Sequence, residues 1–254
     1  MLFISSAPMQ LRTVHVLVIT HPQCFKSPAV EQALSLVSYQ SKQVIRAGEH
    51  MLTQGRMNSF ESIIIPEVDD KYWLDMLMRL MQHYRTIMYH YGHLRARQLI
   101  VYGNACKMLP KQILKIPKTK ILRRADILRG PGLGLLPIQL DMGFDPQNLS
   151  KAYRTELERF SIQQPIYLFD NTVMYSPSIG IRNGNVYKIH KQKITRLAEL
   201  KLPRNQEERE AFNEREIPPI RAIYDKDTPT KKQQIDEVGK TESTEKEVVP
   251  PVKE

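Results

Sequence analysis

The sequence predicts an α+β fold whose first hundred residues form a small layered α/β-like domain, in which strands and helices alternate. Short apolar runs at residues 13–20, 62–66 and 99–102 have the length and composition of buried strands. The stretches between them carry apolar residues at the three- and four-residue spacing of amphipathic helices. A chain of 254 residues with 41% hydrophobic residues can also bury a sizeable core.

The first helix is predicted to run from Pro28 to about Thr53, because Ser27 followed by Pro28 is a favourable N-cap and first-turn pair. Its inward positions would be Val30, Leu34, Val37, Val44, Ile45 and Leu52. The turn before it contains His21 and Cys24. In a parallel sheet this turn would lie at the carboxyl edge, where ligands often bind. The sequence shows no base or orienting group for a nucleophilic Cys24, so we interpret the turn as structural.

A longer helix is predicted to begin at Asp69 and Asp70, with no glycine or proline before Gly92. Its apolar stripe consists of Trp73, Leu77, Leu80, Tyr84, Ile87, Tyr91 and Leu94. A cationic ridge on another side consists of Arg79, His83, Thr86, His90, His93 and Arg97. His90 and His93 are three residues apart, but no nearby cysteine or carboxylate completes a ligand set. We therefore expect no metal.

Positive charge is concentrated between residues 79 and 129, where twelve basic residues accompany a single acid, Asp126. The basic residues are Arg79, Arg85, Arg95, Arg97, Lys107, Lys111, Lys115, Lys118, Lys120, Arg123, Arg124 and Arg129. Because the whole chain carries +10, the remaining residues are close to neutral. A block of one sign favours a polyanionic partner, most commonly a phosphate backbone. We predict that these twelve residues contact nucleic acid.

The part of this block from Lys107 to Arg129 cannot form one straight helix, because Pro110 and Pro117 each remove a backbone donor. Aliphatic residues between the basic ones would anchor short pieces to the protein and direct the cations outward. Four tyrosines could stack on unpaired bases or belong to the core. They are Tyr84, Tyr89, Tyr91 and Tyr102.

The glycine-rich loop at residues 130–134 is predicted to be a hinge or tight turn. A dinucleotide or P-loop site requires a helix after the glycines, whereas residues 135–140 have the pattern of a strand. A helix starting at Asp145 and Pro146 would bury Leu149, Tyr153, Leu157 and Phe160.

A further strand is predicted at residues 166–169, after Pro165. The dipeptide Asn183-Gly184 is predicted to turn a β-hairpin that joins residues 179–182 to residues 185–189. Asp141, Asp145 and Asp170 lie near strand ends and are interpreted as turn or cap residues.

Five segments follow from these patterns: an N-terminal α/β region (1–106), the cationic segment with its glycine-rich turn (107–134), a C-terminal α+β region with the hairpin (135–202), a charged extension (203–224) and a disordered tail (225–254). The tail contains no aromatic residue and too little apolar surface to offset the entropy of ordering.

Two cysteines are too few for a disulfide framework, so we expect an intracellular, reducing compartment. The first thirty residues contain no acid and begin with an apolar patch, which loosely resembles an organellar presequence. The mitochondrial matrix therefore stands beside the cytoplasm and the nucleus as a location. No apolar run approaches eighteen residues, so no transmembrane segment is expected.

Two classes of function remain open. The first is a non-catalytic, RNA-contacting structural component of a ribonucleoprotein that also contacts other proteins of a large assembly. Its leading host is an organellar (mitochondrial) ribosome, and a viral nucleoprotein or matrix-like protein is the alternative. The second class is a small α/β enzyme that acts on a phosphorylated or nucleic-acid substrate near residues 130–134. Because the sequence contains no recognisable catalytic set and implies no cofactor, we favour the first class.

Overall fold

A computed structural model describes residues 1–9, 15–36, 41–49, 60–85, 88, 98–115, 128–200 and 202. All of them belong to one compact unit, Met1–Asn205, and a second unit, Gln206–Glu254, lies outside the described residues. The predicted extension and tail therefore lie outside them too.

The described elements confirm the α+β class. The strands are, in chain order, β1 (Leu2–Ser5), β2 (His15–Thr20), β3 (Ser41–Arg46), β4 (Ser62–Ile65), β5 (Gln98–Tyr102), β6 (Gln112–Lys115), β7 (Leu128–Pro131), β8 (Gln139–Met142), β9 (Ile166–Phe169), β10 (Met174–Ser176), β11 (Gly180–Asn183), β12 (Val186–His190) and β13 (Lys193–Leu197). The α-helices are α1 (Pro28–Ser35), α2 (Trp73–His83) and α3 (Lys151–Phe160).

A seven-stranded sheet has the order β11-β10-β1-β5-β4-β2-β3. Strands β1 to β5 are parallel, β10 pairs antiparallel with β1, and β11 pairs antiparallel with β10. The predicted strands at residues 13–20, 62–66 and 99–102 correspond to β2, β4 and β5. Central parallel strands are covered on both faces, which explains why these runs are continuously apolar instead of alternating. The apolar patch at the amino terminus becomes β1, buried between β5 and β10.

The helix predicted over residues 28–53 is wrong in its second half. Ser27 does cap α1, since its hydroxyl accepts the Val30 N–H at 3.4 Å. The helix ends at Ser35, however, and residues 41–46 form β3, which pairs with β2 over six consecutive residues. The backbone of residues 41–46 pairs with the edge of β2, a strand that lies far from it in the sequence. Long-range pairing therefore overrides the local periodicity.

The predicted second helix begins later and is interrupted. A 3₁₀ turn, Asp70–Tyr72, precedes α2, and the Asp69 side chain forms no capping hydrogen bond. Tyr84 then leaves helical geometry, with φ −128° and ψ −2°, while its hydroxyl donates to the Glu49 carbonyl at 2.6 Å. The described members of the stripe are buried as predicted: Trp73, Leu77, Leu80 and Tyr84. Ile87, Tyr91 and Leu94 lie outside the described residues, as do Thr86, His90, His93 and Arg97 of the ridge.

A second sheet, in the order β13-β12-β9-β8, packs against α3. Three of the four residues predicted for its stripe, Tyr153, Leu157 and Phe160, are buried in the helix, whereas Leu149 precedes it and is half-buried. The predicted start is wrong, since Ser150 caps the helix at Lys151, whereas the Asp145 carboxylate accepts the Gln147 N–H of a preceding turn. The strand predicted at residues 135–140 is likewise displaced and becomes β8, Gln139–Met142.

The hairpin predicted at Asn183-Gly184 does not form. Strand β11 pairs with β10 in the large sheet, whereas β12 pairs with β9 and β13 in the small one. The chain therefore changes sheets at Gly184, where a side chain would come within 2.5 Å of the Val173 backbone. The Asp170 carboxylate holds this crossing, because it accepts hydrogen bonds from the backbone and side chain of Asn185, both at 2.8 Å. Hairpins do occur in this region, as β10–β11 and β12–β13.

Candidate nucleic-acid interface

The ends of the cationic segment are built into a two-stranded antiparallel ribbon. Strand β6 pairs with β7, and the register runs from Gln112 opposite Pro131 to Lys115 opposite Leu128. The residues that connect the two strands, 116–127, lie outside the described residues and include four of the predicted contacts: Lys118, Lys120, Arg123 and Arg124. The ribbon therefore holds both ends of a basic connection, which we call the basic arm, side by side.

The glycine-rich turn fixes the foot of this ribbon. The amide of Gly132 donates to the Lys111 carbonyl at 2.9 Å, and the amide of Leu133 donates to Met108 at 2.8 Å. A side chain on Gly132 would meet the Pro110 carbonyl oxygen at 2.1 Å, so the backbones here are in direct contact. These amides are engaged within the protein instead of pointing at a ligand. The geometry is that of a tight turn, in agreement with the sequence interpretation.

A cleft of about 520 Å³ opens beside the foot of the ribbon. Its described lining comes from five parts of the chain: Arg85 after α2, Lys111 to Ile113 at the start of the ribbon, Gly130 to Pro131 at its end, Gln139 of β8, and Phe160, Gln163 and Gln164 at and after the end of α3. This volume lies within the usual range of small-ligand sites, roughly 300–1,000 Å³.

Charge around the cleft has one sign. Arg85 and Lys111 are both exposed, and no carboxylate occurs among the described lining residues. The Arg85 guanidinium lies along the turn, since a side chain on Gly134 would meet its Nη2 at 3.4 Å. Two solvent-facing cations with no carboxylate among the described lining residues favour an anionic group at this rim.

Gln139 is a buried amide without a complete set of partners. Its side chain is only 7% exposed, and its Oε1 accepts no hydrogen bond from the described residues. A buried acceptor left unpaired costs on the order of 1–3 kcal/mol. In the sequence, the signal was one glutamine between Ile138 and Leu140 in an otherwise apolar run, and it was not used to predict a site.

Lys107 is placed away from any interface. It lies in the 3₁₀ turn Gly103–Met108, is 8% exposed, and its ammonium is paired with the carboxylate of Asp141. Asp141 also accepts hydrogen bonds from the Tyr153 hydroxyl and the Met142 amide. Burial, together with the charge of Asp141, raises the pKa of Tyr153 well above its usual value. Lys107 therefore forms a buried ion pair in the core. Asp141, interpreted from the sequence as a turn or cap residue, is instead part of this buried network.

The remaining predicted contacts lie at the large sheet, in the ribbon or outside the described residues. Arg79 is committed to the carboxyl edge of the large sheet, where its Nε donates to Asp75 at 2.8 Å and its Nη1 donates to the Ala47 carbonyl at 3.4 Å. Lys115 and Arg129 belong to the ribbon strands, and Arg95 and Arg97 lie outside the described residues. Tyr84 and Tyr102 are core residues that cannot stack on a base.

The turn after β2 lies at the carboxyl edge of the parallel strands, as expected. The His21 ring is buried and stacked on Tyr72, with centroids 4.6 Å apart. Its Nδ1 accepts the Gln23 N–H at 3.1 Å, and its Nε2 lies 2.6 Å from Asp75 Oδ2. Burial raises the pKa of Cys24, which keeps its thiol protonated. Both ring nitrogens are engaged, so this geometry resembles a structural turn more than a nucleophile with its base.

No protein-family model matches this chain, and no curated protein matches it. Within the described ranges, no group of three or more His, Cys, Asp or Glu side chains could hold a metal ion. The described part of the chain also has no helix with the length and apolar character needed to cross a bilayer.

Proposed function

We propose that this protein binds RNA through its phosphate backbone, as a non-catalytic component of a ribonucleoprotein. One observation carries the proposal: the ribbon that holds the basic arm stands beside a cleft whose described charged residues are the cations Arg85 and Lys111. A phosphate chain could follow the arm and continue onto this rim without meeting a described carboxylate there.

The proposed contacts are of the kind that positions a nucleic-acid backbone. Each Lys or Arg that neutralises a phosphate releases condensed counterions, so affinity should depend steeply on salt. Arginine adds a planar fork that matches two phosphate oxygens, which suits Arg85, Arg123 and Arg124 to this task. The ribbon would reduce the entropy lost on binding, because it already holds both ends of the arm together.

The composition of the cleft favours binding over chemistry. Its described lining contains amides, aliphatic groups, one aromatic ring and two cations. General acid–base or nucleophilic catalysis at neutral pH usually draws on a carboxylate, histidine, cysteine or activated hydroxyl. Such groups are not among the described lining residues, so the enzyme alternative gains no support from this site.

The proposed host remains an organellar ribosome, with a viral nucleoprotein or matrix-like protein as the alternative, and the mitochondrial matrix remains one of the proposed compartments. Support for a large assembly comes from the excess of positive charge in a single block. Stoichiometric copurification with ribosomal RNA and ribosomal proteins is the expected result for the ribosomal host. Recovery of the native protein as a free monomer would contradict this assignment.

The RNA proposal is tested by neutralising the basic arm. We expect the variant K118Q/K120Q/R123Q/R124Q to bind single-stranded RNA more weakly. The slope of log affinity against log salt should become shallower by up to about 3, because each lost phosphate contact removes about 0.7 of slope. Fluorescence anisotropy from 50 to 300 mM salt measures both quantities.

The control carries the same change of charge elsewhere. Arg182, Lys191, Lys193 and Arg196 are exposed residues of β11 and the β12–β13 hairpin and do not line the cleft. The variant R182Q/K191Q/K193Q/R196Q should keep most of the wild-type salt slope. Equal slopes for the wild-type and arm variants would refute RNA binding through the arm, and equal losses in both variants would show an unspecific charge effect.

A further inference from the structure

We infer that the cleft beside the ribbon receives one unpaired nucleobase of the bound RNA strand and that the Gln139 amide pairs with the edge of this base. The inference rests on the proposed RNA binding and adds to it a base-contacting position. A duplex keeps its bases paired and stacked, so single-stranded RNA is the form that can supply a free base edge.

The first support is the chemistry of Gln139. Gln139 lines the cleft, and its buried amide oxygen accepts no hydrogen bond from the described residues. A base edge supplies the missing donor, for example the exocyclic amine of adenine. A glutamine amide can pair with adenine through two hydrogen bonds, to N6 and N7. Rotation of the amide exchanges its donor and acceptor sides, so other bases can pair with it less completely.

The second support is the arrangement of apolar and charged lining. Phe160 and Ile113, both buried, and the exposed Pro131 form apolar walls that suit the faces of a planar ring. Arg85 and Lys111 stand at the exposed rim, where the phosphates on either side of an inserted base would pass. The apolar walls match the faces of a base, and the buried amide matches its edge. The cations at the rim match the phosphates.

The third support is the position of the cleft relative to the arm. Gln112 and Pro131, which are paired across the ribbon, both line the cleft. A strand held by the arm is therefore led to the cleft by the ribbon itself. This continuity favours a nucleotide within a strand over a free nucleotide, which would have only the two rim cations as partners for its phosphate.

The experiment compares two ligands of equal length, a ten-nucleotide oligoadenylate and the corresponding abasic ribose-phosphate strand. The variant Gln139→Leu removes the amide while keeping a side chain of similar size. The control Gln32→Leu makes the same replacement at an exposed position of α1 that does not line the cleft. Binding is measured by fluorescence anisotropy at fixed salt, and thermal unfolding confirms that each variant is folded.

We expect the wild type and Gln32→Leu to bind oligoadenylate at least about fivefold more tightly than the abasic strand. Gln139→Leu should reduce this preference to less than about twofold and leave abasic binding unchanged. If the wild type binds both strands equally, or if Gln139→Leu keeps the full preference, the inference is overturned while RNA binding stands. Failure to bind either strand would instead overturn the proposed function.

A final measurement tests whether the cleft binds a nucleotide of an RNA strand or a free nucleotide. Adenosine 5′-monophosphate has the same base but a single phosphate, so it offers far fewer phosphate contacts than the ten-nucleotide strand. We expect it to compete with labelled oligoadenylate only at concentrations at least about a hundredfold higher than the unlabelled strand. Competition at equal concentrations would overturn the assignment to RNA and assign the cleft to a free nucleotide.

Discussion

The substitution Lys107→Met tests whether the charge of Lys107 stabilises the fold or contributes to RNA binding. Methionine keeps most of the apolar length of lysine and removes the ammonium group. The buried Asp141 carboxylate then loses the ammonium of Lys107 and keeps the Tyr153 hydroxyl and the Met142 amide among its partners. Removing one member of a buried ion pair typically costs about 3–5 kcal/mol of unfolding free energy. This loss is a large fraction of the stability of an ordinary domain.

Urea unfolding followed by tryptophan fluorescence measures the change, because Trp73, the single tryptophan, is fully buried in the same unit. Lys111→Met is the matched control, since Lys111 is an exposed lysine four residues further along the chain, and its loss should change stability by less than about 0.5 kcal/mol. The triple variant K107M/D141L/Y153F replaces the whole network by apolar groups. It should recover much of the lost stability, since a buried pair often gains little over well-packed hydrophobic residues.

The same variants separate the two roles of charge. Lys107→Met should leave the salt dependence of RNA binding unchanged under conditions where it is folded, whereas Lys111→Met should make it shallower by up to about 0.7. A stable Lys107→Met variant with a reduced salt slope would refute the reasoning, because it would show that Lys107 reaches the nucleic acid.

Two further predictions concern the turn and the sheet crossing. Gly132→Ala should lower the unfolding free energy by about 1–3 kcal/mol in urea titrations, because its methyl group would collide with the Pro110 carbonyl, whereas Gly130→Ala, with nothing within 4 Å, should cost far less. Burial by itself raises the pKa of Asp170, but hydrogen bonds from Thr172 and Asn185 outweigh it, so the folded-state pKa lies below the usual 3.8. This stabilisation is fully present above pH 4 and is lost as the pH falls through the folded-state pKa. Asp170→Asn should therefore be less stable than wild type at pH 7 in thermal unfolding, and the gap should narrow towards pH 3. A constant gap would contradict this assignment.

Three strands of the large sheet, β2, β4 and β5, were predictable because their apolar runs are a property of a few adjacent residues. Residues 63–65 are three consecutive isoleucines, and this strand is buried on both faces, which favours such a continuous apolar run. The start of α1 was predictable for the same reason, since the Ser27 cap is a contact between near neighbours in sequence.

The errors arose where distant residues decide the structure. Asn183-Gly184 has the chemistry of a hairpin turn, but the pairing of β11 depends on β10 and that of β12 on β9, and neither relation is visible from the dipeptide. Lys107 was assigned to the interface because the sequence around it is basic. Its partner, Asp141, lies in β8, far from Lys107 in the sequence, and only the fold brings the two together. The candidate cleft was missed because its described lining comes from five segments that are separate in the sequence.

The position of β1 has a consequence for the order in which the chain can fold during synthesis. Among the described strands β1 comes earliest in the chain, yet its two neighbours in the sheet are β5, around residue 100, and β10, around residue 175. Until β5 has been made, Leu2 to Ser5 have no neighbouring strand, and the sheet cannot close on its other side before β10 follows. Pairings between such distant segments form slowly, and apolar strands that wait for them are exposed to aggregation. A nascent chain arrested before residue 98 should therefore need a chaperone to keep its first strand from associating with other chains.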